Sequence, residues 1–229
     1  MDPSHPATVP ATPGLSDLFP VGTGIAWCVA PVPGGCLLPA EQQAISWMAP
    51  ARQQAFAQGR ACARFALAQI GYGNVAVPVA EQRAPLWPPG VTGSIAHCAG
   101  RAIAVAARVE VASGVGVDLE QAGSLERGVL ELVCTPAERD WLAQTGNAQL
   151  ARTIFAIKES VYKCLWPRVR RYIDFQEVEI DLRPAGRRYV ARATGPGLDA
   201  SVVAAINGGW LEAGGLIYAS AYLPSAPAL

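Results

Sequence analysis

The stretch from residue 114 to residue 120 reads Gly-Val-Gly-Val-Asp-Leu-Glu, and it predicts a β-strand at the centre of the fold. Successive side chains of a strand point to opposite faces, so the apolar residues share one face, and Gly116, Asp118 and Glu120 share the other. Two carboxylates side by side at the end of an apolar strand repel each other unless a cation lies between them. Hard oxygen ligands on a rigid element suit Mg²⁺. The stretch therefore predicts a magnesium site, and a solvated strand end remains the alternative.

A helix further along the chain carries a second group of charged residues. Its predicted span runs from about Ala148 to Leu165, and Pro167 is expected to end it. Glu159 and Lys163 have the i, i+4 spacing of an ordinary helix salt bridge, which is worth about 0.2–0.5 kcal/mol. The apolar side chains recur at steps of four and three and form one core-facing stripe, made of Leu150, Ile154, Ile157, Val161 and Leu165.

The use of lysine in this helix argues for a role beyond a salt bridge. Of the 18 basic residues in the chain, only Lys158 and Lys163 are lysines. Lysine is a compact charge that can approach a phosphate oxygen and exchange a proton, whereas arginine stays protonated. Both lysines are therefore predicted to contact phosphate, and a plain salt bridge between Lys163 and Glu159 is the alternative.

The N-terminal half supplies a histidine and a group of arginines. The segment 93–98 contains His97, whose side chain would point away from that of Cys98 on a strand, so the two are not expected to form a nucleophile pair. Arg52, Arg60 and Arg64 lie on one helical segment, about 80° and 40° apart around its axis, and could form one cationic side. A histidine satisfied in the core and a solvated arginine face are the alternatives.

The order of the predicted elements indicates the fold class. Helices are expected over Glu41–Ile70, interrupted near Pro50, and after the Thr135-Pro136-Ala137-Glu138 start signal. The expected strands are Gly24–Ala30, Gly93–His97, Ala102–Val109, Val115–Leu119, Val178–Leu182, Tyr189–Thr194, Ser201–Ile206 and Leu216–Leu223, with a turn at Gly208-Gly209. This order predicts an α+β fold with two related halves that meet near residue 115.

The predicted organisation has four parts. A flexible leader is expected at residues 1–22, because this segment is rich in Pro, Ala, Thr and Ser. An N-terminal α/β subdomain is expected at 23–114, a C-terminal α/β subdomain with the metal site at 115–223, and a tail at 224–229.

Composition excludes several classes of protein. Apolar residues make up 51% of the 229 residues and charged residues 16%, so the chain is not globally disordered. The 18 Lys and Arg balance the 18 Asp and Glu, so the net charge gives no sign of nucleic-acid binding. The first basic residue is Arg52, and the uncharged run 18–40 holds four prolines, so neither a targeting peptide nor a membrane span is expected. The six cysteines show neither CxxC nor zinc-ligand spacing, which is typical of reduced thiols in a cytoplasmic protein.

Five segments, taken in order, resemble the motifs of one family. They are GRACARFAL (59–67), RAPLWPPGVTGSIAHC (83–98), GVGVDLE (114–120), TPAERDWL (135–142) and FAIKESVYKCLWP (155–167). Together they resemble the larger, Sfp-type class of the 4′-phosphopantetheinyl transferases, and within it the branch of the enterobactin synthase transferase. The resemblance covers about residues 50–180, and the DLE and KESVYK motifs are its most specific parts. Ala96 departs from the pattern, since relatives usually have Ser or Thr before the histidine.

The resemblance implies an enzyme that moves the phosphopantetheine arm of coenzyme A onto a serine of an apo carrier protein and releases adenosine 3′,5′-bisphosphate. Asp118, Glu120 and Glu159 would hold Mg²⁺ against the pyrophosphate of the coenzyme. Glu159, directly or through a water, would help to deprotonate the serine. Lys158 and Lys163 would sit on the phosphates, with Lys163 neutralising charge on the leaving group.

The resemblance also implies where coenzyme A binds and which partners the chain has. The family fold has two similar α/β subdomains with the coenzyme between them. Residues implied to hold the phosphates of its adenosine part are Arg52, Arg60, Arg83, Ser94 and His97. The implied partners are apo acyl or peptidyl carrier proteins of siderophore, nonribosomal peptide, polyketide or fatty-acid synthesis. The enzyme itself is expected to be a cytoplasmic monomer that binds neither nucleic acid nor membrane. A non-enzymatic coenzyme A or nucleotide-binding module and another Mg²⁺-dependent phosphohydrolase remain the alternatives.

Overall fold

Two antiparallel sheets, each covered by a long helix, form the part of the chain that the computed structural model describes, which is residues 14–29, 36–46, 48–80 and 83–225. The strands are β1 (Gly24–Cys28), β2 (Val91–Cys98), β3 (Arg101–Arg108), β4 (Ala112–Gln121), β5 (Val178–Arg183), β6 (Arg188–Ala193), β7 (Asn207–Ala213) and β8 (Leu216–Pro224). The helices are α1 (Pro39–Gln42), α2 (Pro50–Gln69), α3 (Arg127–Val133), α4 (Pro136–Thr145), α5 (Leu150–Val169) and α6 (Ala200–Ala204). One sheet has the order β1-β3-β2 and the other the order β4-β8-β7-β6-β5. The predicted α+β fold with two α/β halves is confirmed.

The two 20-residue helices pack on the sheets in equivalent ways. Helix α2 lies on β1 and β3, and helix α5 lies on β4 and β8. The predicted apolar stripe of α5 faces this contact, because Ile154, Ile157 and Val161 are fully buried. The helix passes Pro167 and ends two residues later, at Val169, and Arg170 caps it in a left-handed conformation, so the prediction that Pro167 ends it was short by about half a turn.

Two glycines of β4 let α5 approach its backbone. A Cβ atom at Gly116 would lie 1.9 Å from the carbonyl oxygen of Ser160, and one at Gly114 would lie 2.4 Å from that of Cys164. Any side chain at either position would therefore push the helix away from the strand. The alternation predicted for 114–120 is also present, because Val115 and Val117 are fully buried on the face away from the helix. Asp118 consequently lies on the helix side of β4.

The two sheets meet where β2 lies beside β4. The Ser94 hydroxyl of β2 accepts a hydrogen bond from the Val117 backbone N–H at 3.0 Å and lies 3.4 Å from the Val117 carbonyl oxygen. A shared apolar core on this side joins β3, β4 and β8 through residues such as Val105, Val115 and Tyr218. The end of β2 is thereby held next to the end of β4, and both strand ends carry predicted site residues.

The predicted flexible leader is wrong from Gly14 onward. Leu15, Leu18 and Phe19 are buried in the core that joins the two sheets. The Ser220 hydroxyl of β8 donates to the Leu18 carbonyl at 2.9 Å. Three apolar side chains within five residues are enough to fasten this segment, and the surrounding Pro and Ser content concealed them. Residues 1–13 and 226–229 lie outside the described residues.

Local predictions in the C-terminal half have mixed outcomes. The Thr135 capping box is confirmed, since Glu138 N–H donates to Thr135 Oγ1 at 3.3 Å and Glu138 Oε2 accepts from Thr135 N–H at 2.7 Å. The strand predicted at Ser201–Ile206 is wrong, because Asp199 accepts from the N–H groups of Ser201 and Val202 and starts α6 instead.

The turn predicted at Gly208-Gly209 is also wrong. Both glycines lie within β7, and a Cβ at Gly208 would meet the Ser220 carbonyl at 2.2 Å. The β7–β8 turn is instead at Gly214-Gly215, where both residues have positive φ. Among the described residues, no helix has the length and apolar character needed to cross a membrane.

Candidate active site

Asp118 at the end of β4 and Lys163 on α5 form the ion pair at the centre of the candidate site. Lys163 Nζ lies 2.7 Å from Asp118 Oδ1 and also donates to the Val117 carbonyl at 3.1 Å. The Asp118 side chain is 9% exposed and that of Lys163 is 26% exposed. The second carboxylate oxygen of Asp118, Oδ2, is buried and has no hydrogen-bond partner among the described residues. A buried carboxylate oxygen without a partner is costly, so a cation or a ligand donor fits at this atom.

Glu159 lies one helical turn before Lys163 and is electrostatically coupled to the same pair. Burial raises the pKa of Glu159 above its ordinary value, the Lys163 charge opposes this, and the Asp118 charge adds to it. The side chain lines a cavity of about 40 Å³ together with Tyr162, Tyr172 and Phe175. A carboxylate that borders a cavity and has a raised pKa is a stronger proton acceptor than an ordinary one, so Glu159 is a candidate general base.

Glu120 already has a cationic partner. Arg152 NH1 of α5 lies 3.4 Å from Glu120 Oε2, and Arg152 NH2 donates to the Ser124 carbonyl at 3.0 Å. Burial raises the pKa of Glu120, and the neighbouring Asp118 carboxylate raises it further. The two carboxylates of β4 therefore differ in their availability to a ligand: Glu120 pairs with Arg152, whereas one oxygen of Asp118 has no partner among the described residues.

These carboxylates do not form a ready-made metal cage. Among the described residues, no three Asp, Glu, His or Cys side chains converge in a way that could hold a metal ion. Mg²⁺, however, usually takes one or two protein carboxylates and completes its octahedron with water and substrate phosphates. The unpaired Oδ2 of Asp118, with Glu159 close by, fits this donor set, and Glu120 could join it by leaving Arg152.

His97 connects the N-terminal half to this site. It lies near the end of β2 and is only partly covered by its neighbours. Partial burial lowers the pKa of His97, the charges of Arg52 and Lys163 lower it further, and Asp118 raises it. Groups from α2, β2, β4 and α5 therefore act on one another across the junction of the two sheets. Predicted site residues that the structure brings together in this way are Arg52, His97, Asp118, Glu120, Glu159 and Lys163.

Arg60 is buried in α2 and has no ion pair among the described residues. Its guanidinium carbon lies 4.2 Å from the centre of the Phe56 ring, and its Nε has no hydrogen-bond partner. Burial lowers the pKa of Arg60 to about 10. A buried guanidinium without an anion is costly, so Arg60 remains a candidate for contact with a ligand phosphate.

Arg64 does not belong to the cationic side that helical spacing suggested. Its NH1 pairs with the fully buried Glu41 at 2.5 Å, and its NH2 donates to the Cys36 carbonyl at 2.6 Å. Glu41 also accepts from the backbone N–H groups of Leu38 and Val77, at 3.0 Å each. Arg64 therefore completes a buried hydrogen-bond network and is not available to a ligand. Sequence reasoning missed Glu41 as the centre of that network.

Arg83 and Ser94 differ in how they fit their predicted role. Arg83 is exposed, with a φ of 64°, in the loop before β2. Ser94 is 3% exposed, and its hydroxyl is taken up by the Val117 backbone. The Ser94 hydroxyl therefore joins β2 to β4 in this structure, and its predicted contact with a coenzyme phosphate stays a prediction.

The buried ammonium group of Lys158 does not fit its predicted role. Its ammonium group is buried and donates to Glu138 Oε2 and to the carbonyls of Val133 and Phe175, each at 2.8 Å. All three ammonium protons are used within the protein, so the predicted contact with phosphate is wrong in this structure. The reason lies in the helix itself, since five residues turn the chain by about 500° and leave Lys158 and Lys163 about 140° apart.

Comparison with known proteins identifies the family of the chain. Residues 40–107 match the model of the 4′-phosphopantetheinyl transferase N-terminal domain, and residues 114–208 match the model of the 4′-phosphopantetheinyl transferase superfamily. The chain is 35% identical to the 4′-phosphopantetheinyl transferase Svp of Streptomyces mobaraensis over 86% of its own length and 82% of that protein. The chain belongs to the 4′-phosphopantetheinyl transferase superfamily. The resemblance predicted from its motifs is confirmed.

Two further relatives match parts of this transferase. It is 43% identical to the 4′-phosphopantetheinyl transferase Npt of Nocardia iowensis over 62% of its own length, and it spans 64% of that protein. It is 40% identical to enterobactin synthase component D of Escherichia coli K12 over 46% of its own length and 50% of that relative. The predicted activity is supported over both alternatives: this transferase moves 4′-phosphopantetheine from coenzyme A to carrier proteins.

Proposed function

We propose that Asp118 and Glu159, joined by Glu120, hold Mg²⁺ in this transferase and that Lys163 acts on the leaving phosphate. The observation that carries this proposal is the unpaired, buried Oδ2 of Asp118, directly beside the Lys163 ammonium. When bound, the ion would neutralise charge on the pyrophosphate of coenzyme A. Transfer then depends on holding the serine hydroxyl and the phosphorus in line, because phosphoryl transfer is catalysed mainly by positioning and electrostatic stabilisation.

The protein side chains divide this work between them. Glu159, whose pKa is raised by burial, accepts the proton of the carrier serine. Asp118 and the Val117 carbonyl hold Lys163 in place, and its remaining ammonium proton donates a hydrogen bond to the phosphate that leaves with the adenosine part. The leaving group gains negative charge as the bond to phosphorus breaks, so a fixed ammonium at this point lowers the barrier.

Coenzyme A would lie across the junction of the two sheets. Arg60 supports this placement, because it is a buried cation without an anionic partner among the described residues. Arg52 and His97 supply further positive charge and hydrogen-bond donors from the same side, and exposed Arg83 supplies a charge from the loop before β2. Charge-assisted hydrogen bonds of this kind suit the phosphates on the adenosine part.

The carrier partner is proposed from the relatives. Because one relative carries the name enterobactin synthase component D, we place the acceptor among the acyl or peptidyl carrier domains of siderophore, nonribosomal peptide or polyketide synthesis. The transferase would act as a cytoplasmic monomer, without contact to nucleic acid or membrane. Intact-mass measurement with apo domains of each type identifies the carriers that it modifies.

The metal proposal is tested by titration. Mg²⁺ should restore transfer to chelator-treated enzyme, and Glu159→Gln should lower kcat at saturating Mg²⁺ by at least tenfold, about 1.4 kcal/mol in the barrier, while coenzyme A affinity changes little. Glu212→Gln changes an exposed carboxylate on β7 of the same sheet, so it serves as the control and should be silent. Full activity in excess chelator would contradict the metal proposal and leave the transferase activity itself intact.

A further inference from the structure

The buried pair of Lys158 and Glu138 ties several segments of the C-terminal half together. The Lys158 and Glu138 side chains are each 2% exposed. Lys158 binds the end of α3 through the Val133 carbonyl and the short 3₁₀ turn at 175–177 through the Phe175 carbonyl. Glu138 Oε1 accepts from the Ile180 N–H of β5 at 2.6 Å. One ion pair therefore connects α3, α4, α5, this turn and β5.

The turn held by Lys158 forms part of the cavity that contains Glu159. Residues 172–175 line this cavity together with Glu159 and Tyr162 of α5. The centre of the Phe175 ring lies 5.6 Å from that of Phe155 on α5. The centre of the Tyr172 ring lies 6.4 Å from that of Tyr162, and Tyr172 is 65% exposed. The segment just before the turn has no helix or strand of its own, so its place depends on such contacts.

We infer that Lys158 is a positioning residue, which holds the wall formed by residues 172–175 over Glu159 by binding the Phe175 carbonyl. Lys158 and Glu159 are adjacent on α5, so the same helix turn fixes the carboxylate and the wall that faces it. The inference rests on the proposed role of Glu159. In this role Lys158 does not contact the substrate, and it acts on the carrier serine only through the position of residues 172–175.

If the ion pair of Lys158 and Glu138 only stabilised the fold, variants that restore stability would also restore kcat. Breaking a buried pair on one side strongly destabilises a protein, whereas removing both charges is often nearly neutral. In the double variant Lys158→Met/Glu138→Gln no charge of this pair remains, and the new amide oxygen at position 138 can still accept from the Ile180 N–H. The Phe175 carbonyl, however, has lost its donor. The double variant therefore tests the position of residues 172–175 without the loss of stability that one unpaired buried charge would cause.

The test measures kcat, coenzyme A dissociation constant and Tm for the holoenzyme with Mg²⁺ and an apo carrier domain. We expect Lys158→Met to lower Tm strongly and the double variant to recover most of that loss. Both variants should show kcat reduced at least tenfold at a temperature where they are folded, with the coenzyme A dissociation constant within twofold of wild type. Glu138→Gln alone takes away the anion that anchors the lysine, so it should lower kcat by a smaller factor, and it serves if the other variants fail to fold.

Val203→Ala is the matched control. Val203 is buried in α6, which packs on β6, and it does not line the cavity, so its truncation should lower Tm and leave the cavity lining unchanged. It should keep wild-type kcat. A folded double variant or Glu138→Gln variant with wild-type kcat would overturn the positioning role, and weaker coenzyme A binding in place of lower kcat would return Lys158 to the phosphate site. Inactive wild-type enzyme would refute the proposed function instead.

Discussion

Adding one methyl group at Gly116 should separate the two elements that build the site. The new Cβ of Gly116→Ala would lie 1.9 Å from the Ser160 carbonyl oxygen, whereas real Cβ contacts are essentially never shorter than 3.0 Å. Strand β4 and helix α5 must therefore move apart by at least 1.1 Å, because the obstacle is backbone and cannot rotate away. Asp118 lies two residues further on the same face of β4, and its 2.7 Å contact with Lys163 should lengthen.

Two readouts follow from this displacement. Overpacking a core typically costs about 1–3 kcal/mol, and for a chain of this size 1 kcal/mol lowers Tm by roughly 2–4 °C, so we expect a fall in Tm of about 2–12 °C. A displacement of about 1 Å in a catalytic site can cost roughly a hundredfold in rate, so kcat should fall by about that factor. Calorimetry and carrier-modification kinetics measure the two quantities.

The control for this prediction is a glycine with open space around it. A Cβ at Gly128 of α3 would meet no atom within 4 Å, so Gly128→Ala should keep kcat and leave Tm unchanged or slightly raised. Wild-type Tm and kcat in Gly116→Ala would refute the reasoning that this close approach sets the site geometry.

Three further predictions test individual side chains. Ser94→Ala leaves the Val117 N–H without its partner and should cost about 1–3 kcal/mol in the free energy of unfolding, seen as a lower Tm with unchanged KM for coenzyme A; a raised KM at constant Tm would return Ser94 to the ligand site. Arg64→Met leaves the buried Glu41 carboxylate without its cation and should lower the free energy of unfolding by about 3–5 kcal/mol, measured by calorimetry. Arg60→Met should mainly weaken coenzyme A binding, measured by titration. A large loss of stability in Arg60→Met, with weaker coenzyme A binding in Arg64→Met, would contradict this assignment. Lys163→Arg should lower kcat by about tenfold with little change in coenzyme A affinity, because a guanidinium is broader and does not release a proton readily; wild-type turnover would leave Lys163 with only a salt-bridge role.

The parts of the fold that could be predicted from the sequence are those with a local physical signal. Alternation over residues 114–120 placed Asp118 on the face away from the core that joins the sheets, and the Thr135 start signal fixed one end of α4. The motif resemblance supplied the family, and through it the residues that meet at the junction of the sheets. No local pattern states that α5 rests on Gly116, since that contact depends on the packing of two distant segments.

The errors also have physical causes. The lysine count grouped Lys158 with Lys163, although a spacing of five residues places them on different sides of a helix. The run from Ser201 to Ile206 is rich in β-branched residues, but the Asp199 cap decides its conformation. The roles of Ser94, Arg64 and the segment Leu15–Phe19 depend on partners 23 or more residues away, which spacing within one segment cannot reveal.

The central claim is that Asp118 and its neighbours form the reacting site, and the rate of phosphopantetheine transfer by Asp118→Asn tests it most directly. This isosteric variant keeps the shape of the side chain but removes the charge that pairs with Lys163 and the anionic oxygen that fits Mg²⁺. With coenzyme A, Mg²⁺ and an apo carrier domain, intact-mass measurement should show one phosphopantetheine group per carrier for the wild type. The folded variant should transfer at least a hundredfold more slowly, which corresponds to about 2.7 kcal/mol in the barrier. Transfer by folded Asp118→Asn at the wild-type rate would contradict the account.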